Sequence, residues 1–311
     1  MKVISRTQEN TIASVFIAEN SDGRRIEFVE SIQPPIDISK KWVIIISTLF
    51  GCPVDCKFCD AGGDYKGKLS AEEIFFQIDY LVNYRFPSGI PETDKFKIQF
   101  ARMGEPSLNH AVLDVLEQFP AKYPIHNFVG SLSTIAPHGT DAFFEKLLNI
   151  KKEYYDQSFQ LQFSLHSTDE EQRNKLVPVK KWSFEKMALF GERFYSEGGK
   201  KLTLNFALGK ENILDPQSLL NHFNPETFLI KITPVNPTFK ARMNNIDSLI
   251  VREEKEYAVV DALKNAGYEV ILSIGEWEEN KIGSNCGQYI KMLDQASQVP
   301  EGSYSYKLQD L

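Results

Sequence analysis

Seven short apolar-rich stretches recur along the chain: WVIIISTLF (42–50), KIQFARM (97–103), FVGSLSTI (128–135), QLQFSLH (160–166), LTLNFAL (202–208), FLIKITPV (228–235) and YEVILSIG (268–275). Each is too short for a membrane span and reads as a strand with little polar alternation, the pattern of strands buried on both faces. Between most of them lie helical patterns: SAEEIFFQIDYLVNY (70–84), NHAVLDVLEQF (109–119), GTDAFFEKLLNI (139–150), FEKMALFGERFYSEG (184–198) and EEKEYAVVDALKNAG (253–267). Ser70 and Glu73 have the spacing of a capping box. Alternation of strand and helix predicts a parallel α/β fold. Six or seven units suit a complete or partial barrel better than an open sheet, and pattern alone does not choose between them. Sites on such folds gather at the carboxyl ends of the strands. Ahead of this series, IASVFIAENSDGRRIEFVESI (12–32) alternates apolar and polar residues on both sides of Ser21-Asp22-Gly23, which predicts a β-hairpin.

Composition excludes several classes. The 311 residues are 42% hydrophobic, enough for a substantial core. With 35 Lys plus Arg against 42 Asp plus Glu, the net charge is −7, so no global positive field draws in nucleic acid or an anionic membrane. The opening MKVISRTQEN lacks the apolar core of a signal peptide. No run of about eighteen apolar residues occurs, and the expectation is a cytoplasmic protein with reduced thiols.

Of only four cysteines, three fall within eight residues: Cys52, Cys56 and Cys59 follow C-x3-C-x2-C directly after the first barrel-type strand. A structural zinc site needs four closed ligands, and no His flanks the loop. Iron–sulfur clusters are normally held by four thiolates, so three leave one iron open. An open iron suits a chelating substrate, and the amino and carboxylate groups of S-adenosylmethionine fit that description.

The cysteine motif resembles that of the radical S-adenosylmethionine superfamily, in which an aromatic residue precedes the last cysteine as Phe58 does here. Five further stretches resemble one branch, the RNA adenine methyl synthases of the RlmN and Cfr type: ARMGEPSLN (101–109), LSTIAPHG (132–139), FSLHSTDEEQRNKLVP (163–178), ITPVNP (232–237) and SNCGQ (284–288). They stand in register over roughly residues 12 to 290. The resemblance implies a partial (β/α)6 TIM-type barrel with an N-terminal β-hairpin and a C-terminal strand-loop extension. The corresponding segments are 1–40, 41–240 and 241–311. It implies a 4Fe–4S cluster on Cys52, Cys56 and Cys59, and reductive cleavage of S-adenosylmethionine to a 5′-deoxyadenosyl radical.

Carried over residue by residue, Gly104 and Glu105 would hold the methionine ammonium, a charge-assisted contact. Ser133, the Ser164-Leu165-His166 backbone and Asn236 would bind the rest of the cofactor. Cys286 would accept a methyl and, after hydrogen abstraction, deliver it to an sp2 carbon of adenine; a thiolate is the side chain able to take a methyl from a sulfonium. Glu27 matches the hairpin glutamate proposed in the family to remove the adenine proton. By themselves these residue types have plainer readings: Glu105 and Glu27 as strand-end charges, His166 as a satisfied histidine, Cys286 as a small hydrophobe.

The chain departs from the family at three points. Ile45 stands where the family carries the cysteine that forms a disulfide with the methyl carrier, so release would need an external thiol or another route. With the hairpin beginning near residue 12, the expectation is a protein without the family's N-terminal RNA-binding accessory domain. The acidic balance suits few phosphate contacts, leaving Lys40, Lys41, Lys180, Lys181, Lys200 and Lys201 as local basic patches or merely solvated faces. The acceptor is therefore RNA or a smaller adenine-like molecule, and reducing equivalents would come from a donor such as flavodoxin or ferredoxin. Two other readings stay open: a radical enzyme for a small molecule or peptide, and a non-catalytic iron–sulfur sensor.

Overall fold

The computed structural model describes residues 1–251, 254, 256–276, 278–286, 288–294 and 304–311. Three strands, Lys2–Thr7 (β1), Ala13–Glu19 (β2) and Arg25–Ser31 (β3), run antiparallel, with β2 and β3 paired from Ala13↔Ser31 to Glu19↔Arg25. The hairpin turn is held by the Asn20 side chain, which accepts from the backbone N–H groups of Asp22 and Arg24. β3 pairs antiparallel with Trp42–Ile46 (β4), which joins the hairpin to the barrel. After β4, Leu49–Cys52 (β5) and Gly63–Lys68 (β6) form a separate two-stranded ribbon.

From β4 onward the sheet is parallel: Phe96–Phe100 (β7), Phe128–Thr134 (β8), Phe159–Ser164 (β9), Leu202–Leu208 (β10), Phe228–Pro234 (β11) and the short Val270–Leu272 (β12). A last strand, Leu308–Asp310 (β13), adds antiparallel to β1. The full order is β12-β11-β10-β9-β8-β7-β4-β3-β2-β1-β13, one 11-stranded sheet. It does not close on itself, so the parallel part is a partial barrel. All seven apolar stretches of the sequence are strands. β13 escapes the sequence reading because it is a three-residue edge strand whose partner β1 lies at the other end of the chain, and β1, between β2 and β13, escapes it too.

Helices cover the outer face: Ala71–Arg85 (α1), Ala111–Lys122 (α2), Asp141–Ile150 (α3), Glu170–Leu176 (α4) and Phe184–Phe194 (α5). The capping box of α1 is made, Ser70 Oγ accepting from Glu73 N and Glu73 Oε2 from Ser70 N. Phe143, Phe144, Leu147 and Leu148 of α3 are buried against the sheet, and Phe144 packs on Trp182 and Phe190. Each such ring contributes about 1.5–3 kcal/mol by leaving water. Pro216–Leu220 (α6), Phe239–Met243 (α7) and Ala258–Asn265 (α8) follow. The helix expected over 253–267 is shorter than its pattern: Tyr257 N-caps α8, and residues 253 and 255 lie outside the described set. Glu278–Ile282 (α9) and Tyr289–Asp294 (α10) flank the segment that carries Cys286.

The inward face of the sheet is not apolar, contrary to the doubly buried reading. Along β7, Phe96, Ile98 and Phe100 are buried toward the helices while Lys97 and Gln99 alternate with them. β9 repeats this with Phe159, Leu161 and Phe163 against Gln160, Gln162 and Ser164. Where barrels of this class fill their interior with branched aliphatics, this one lines it with amides, hydroxyls and lysines. Among the described residues no helix is long and apolar enough to cross a membrane.

Candidate active site

The cysteine loop leaves the carboxyl end of β4 and is fastened to its neighbours by backbone hydrogen bonds. Thr48 N and Leu49 N both donate to Met103 O just beyond β7. Cys59 N donates to Cys56 O and Gly62 N to Cys59 O, which folds the loop tightly. Phe58 O accepts from Thr238 Oγ1 (2.8 Å), and Asp60 accepts from Phe239 N and Lys240 N at the start of α7. Tyr304 donates to the same Asp60 at 2.6 Å. Asp60 thus ties the loop to two other elements, a role with no sequence signal because its partners lie about 180 and 244 positions away.

All four cysteines are free thiols, and all four line one cavity of about 370 Å³ at the carboxyl ends of the strands. Burial raises the Cys52 thiol to about 12, and it pushes Cys56 and Cys59 up as well, with neighbouring sulfurs adding to the effect. Such groups rest as neutral thiols, and a bound metal would displace their protons. Among the described residues no three His, Cys, Asp or Glu side chains converge on a single-ion site. A cube takes one thiolate per iron, so its ligands stand apart around a shared space, and three free cysteines on one cavity fit it.

The strand-end residues surround the same space. Gly104 adopts φ +99, and a Cβ there would fall 2.5 Å from Leu49 side-chain atoms, so only glycine fits. Glu105 is buried; its Oε1 accepts from Ser107 N (3.1 Å), Ser107 Oγ (2.7 Å) and Thr134 Oγ1, and its Oε2 from Ile135 N (2.9 Å). Burial raises its carboxyl, and these donors oppose the rise. Oε2 keeps a free lone pair for a cation in the cavity. Ser133 and Ser164, inward residues at the ends of β8 and β9, line the cavity too. Leu165 does not; its side chain is fully buried while its N–H donates to Asn205 O. His166 has φ +63 and faces Phe58 edge-on at 4.7 Å. Its Nδ1 accepts from Ala207 N, and burial together with Arg173 pushes its pKa down to about 3, which keeps the ring neutral.

Cys286 reaches the cavity from the segment between α9 and α10, solvent-accessible yet walled by protein on most sides. Burial raises its thiol; a hydrogen bond from the Asn236 side chain and the charges of Arg102 and Lys231 oppose the rise, while Asp60 adds to it. Asn236, expected to meet the cofactor, therefore stands against Cys286. Gly287, next in the motif, lies outside the described residues. Ile45 also lines this cavity, so the position that would hold a resolving cysteine carries an inert side chain.

Glu27 does not line the cavity. It is fully buried, paired with the Arg102 guanidinium, and its Oε1 accepts from Ile290 N at 2.6 Å. Arg102 also donates to Gly283 O (2.8 Å) and Asn285 O. The pair therefore clamps both sides of the Cys286 segment. Sequence reasoning placed Glu27 on substrate and passed over Arg102, because the bond spans 75 positions. Lys231, pointing inward from β11 and missed likewise, also lines the cavity. Of the paired lysines, Lys40 bonds Asp94, Lys181 bonds Asn174 and two carbonyls, and Lys201 bonds Pro225 O.

No family model matches the chain. Curated relatives do. It is 29% identical over 237 residues to the probable dual-specificity RNA methyltransferase RlmN of Thermosipho melanesiensis, covering 72% of this chain and 64% of that protein. Its identity to the similarly named protein of Desulfitobacterium hafniense is 26%, over 90% of this chain and 76% of the relative. To the dual-specificity RNA methyltransferase RlmN of Aliarcobacter butzleri it is 23%, over 92% and 82%. The chain thus spans just under two thirds of the first relative's length and more of the others. A radical SAM methyltransferase from Sphaerobacter thermophilus shares the fold with a TM-score of 0.66 at 19% identity, over 92% of this chain and 80% of that one. Matches along nearly the whole chain, on a partial barrel with three thiols at its mouth, make the chain similar to RlmN-type RNA methyltransferases in sequence and to a radical SAM methyltransferase in fold.

Proposed function

We propose that the chain is a methyltransferase that methylates an sp2 carbon of an adenine-like ring, in RNA or a smaller acceptor, by way of a methylated Cys286. The observation that carries this reading is the meeting of Cys286 with Cys52, Cys56 and Cys59 on one cavity, although the fourth cysteine is 227 positions from the nearest of the three (286 − 59). When bound, the cluster and S-adenosylmethionine supply a one-electron cleavage that yields a carbon radical. Cys52, Cys56 and Cys59 would hold the cluster, and Glu105 Oε2 beside Gly104 would take the methionine ammonium. Ser133, Ser164 and the backbone at Leu165 and His166 would border the adenosyl part.

Burial raises the Cys286 thiol, and Asn236 with the cations Arg102 and Lys231 partly offsets this toward the thiolate, the form able to displace a methyl from a sulfonium. Glu27, locked to Arg102, has no path to a ring proton in this arrangement and serves the Cys286 segment instead. With Ile45 in place of a second cysteine, release of a Cys286 adduct falls to an external thiol. The relatives' names supply the RNA acceptor; a local electron donor such as flavodoxin or ferredoxin would feed the cluster.

Growth on methyl-labelled methionine followed by peptide mass spectrometry tests the reading. A labelled methyl on Cys286 is the expected result. Formation of 5′-deoxyadenosine by anaerobically reduced protein with Cys286 never methylated would refute the carrier role and favour a radical reaction on another substrate.

A further inference from the structure

The inward face of the barrel holds two lysines, Lys97 and Lys231, that make no ion pair among the described residues. Lys97 on β7 reaches past β8 to donate to Gln160 Oε1 on β9 (2.7 Å). Lys231 on β11 has no hydrogen bond or ion pair among the described residues, yet it is largely buried and faces the cavity that holds Cys286. Beside it on β10, Asn205 Oδ1 is buried without a partner and lines the same cavity. Burial and the nearby Lys231, Lys41, Lys95 and Lys200 together depress the Lys97 ammonium to about 7. The cavity's carboxylates do not neutralise this group. Glu105 makes no ion pair with Lys97 or Lys231 and is held by Ser107, Thr134 and Ile135; Glu279 accepts from Glu276 N and favours the Lys231 ammonium from beyond ion-pair distance.

A chain of net charge −7 thus points Lys97 and Lys231 into the lumen, where an unpaired buried charge is costly. An arriving anion removes that cost and gains charge-assisted bonds. We propose that Lys231 seats the phosphate of the acceptor, which is a free adenine nucleotide presented to Cys286. The identity of the ring rests on the methyl-transfer reading; the anion seat does not. The net charge of −7 favours a mononucleotide over an RNA strand, whose successive phosphates need a broad basic surface.

Titration calorimetry with AMP, adenosine and an RNA hexamer containing one internal adenine tests this on wild type, Lys231→Met and the exposed Lys152→Met. AMP is expected to bind at least tenfold tighter than adenosine to wild type and to Lys152→Met, with the gap closing in Lys231→Met and adenosine affinity unchanged. Methionine keeps the stem and removes an unpaired charge, so Lys231→Met should be no less thermostable than wild type. Equal binding of AMP and adenosine, or a gap that survives Lys231→Met, overturns the phosphate seat; so does tighter binding of the hexamer than of AMP. A shift in the pH dependence of Cys286 alkylation with the AMP gap intact would assign Lys231 to the thiol alone and also overturn it. Methyl tracing on Cys286 in the same samples separates the readings: a methylated carrier with no AMP preference removes only the seat.

Discussion

Arg102→Met attacks the clamp on the methyl-carrier segment. The guanidinium is 1% exposed and its partner Glu27 is 0% exposed, so the substitution strands a buried carboxylate and two backbone carbonyls, Gly283 and Asn285. Breaking a buried pair from one side costs about 3–5 kcal/mol. The barrel core does not depend on this bond, so the loss falls on docking of residues 283–290, and opening of that segment should be favoured by about two decades or more at about 1.4 kcal/mol per decade. Hydrogen–deuterium exchange reads it directly, since the Ile290 amide donates to Glu27. Exchange in peptides spanning α9 and α10 should accelerate about a hundredfold while strands β7 to β11 stay protected. The double variant Glu27→Gln with Arg102→Met removes both charges and should recover much of the protection, because a neutral pair leaves no stranded ion. Unchanged exchange in Arg102→Met, or a double variant worse than the sum of its singles, would refute the clamp.

Replacing Cys52, Cys56 or Cys59 by Ser should each abolish iron retention after anaerobic reconstitution, read by iron content and visible absorbance, while Cys286→Ser keeps both. Gly104→Ala meets Leu49 at 2.5 Å in a left-handed backbone, which should cost roughly 2–4 kcal/mol and lower the melting temperature accordingly. His166 is held neutral with a folded pKa of about 3 against 6.5 unfolded. Its contribution is full above about pH 6.5 and fades as pH falls toward 3, since only the unfolded chain takes up the proton in that window. Urea denaturation at pH 5 and pH 7 should show about 2 kcal/mol less pH-dependent loss in His166→Asn than in wild type.

The primary sequence by itself carried the strand–helix alternation, the 12–32 hairpin, the α1 capping box and the cysteine loop, because each is written in local spacing: backbone periodicity, a turn, a cap, three thiols in eight residues. What it did not carry is every relation that crosses the barrel. The polar lining was hidden because Lys97, Gln99, Gln160 and Lys231 read as interruptions in apolar runs, and only curvature of the sheet turns them toward one lumen. Glu27 looked like a base waiting for substrate until folding set Arg102 against it. Asp60 and Tyr304 carry no motif at all, yet they hold the cysteine loop to the C-terminal segment. Tertiary structure decided these because a charge buried among neighbours takes its role from whichever partner the chain topology delivers, and that partner's distance in sequence leaves no local trace.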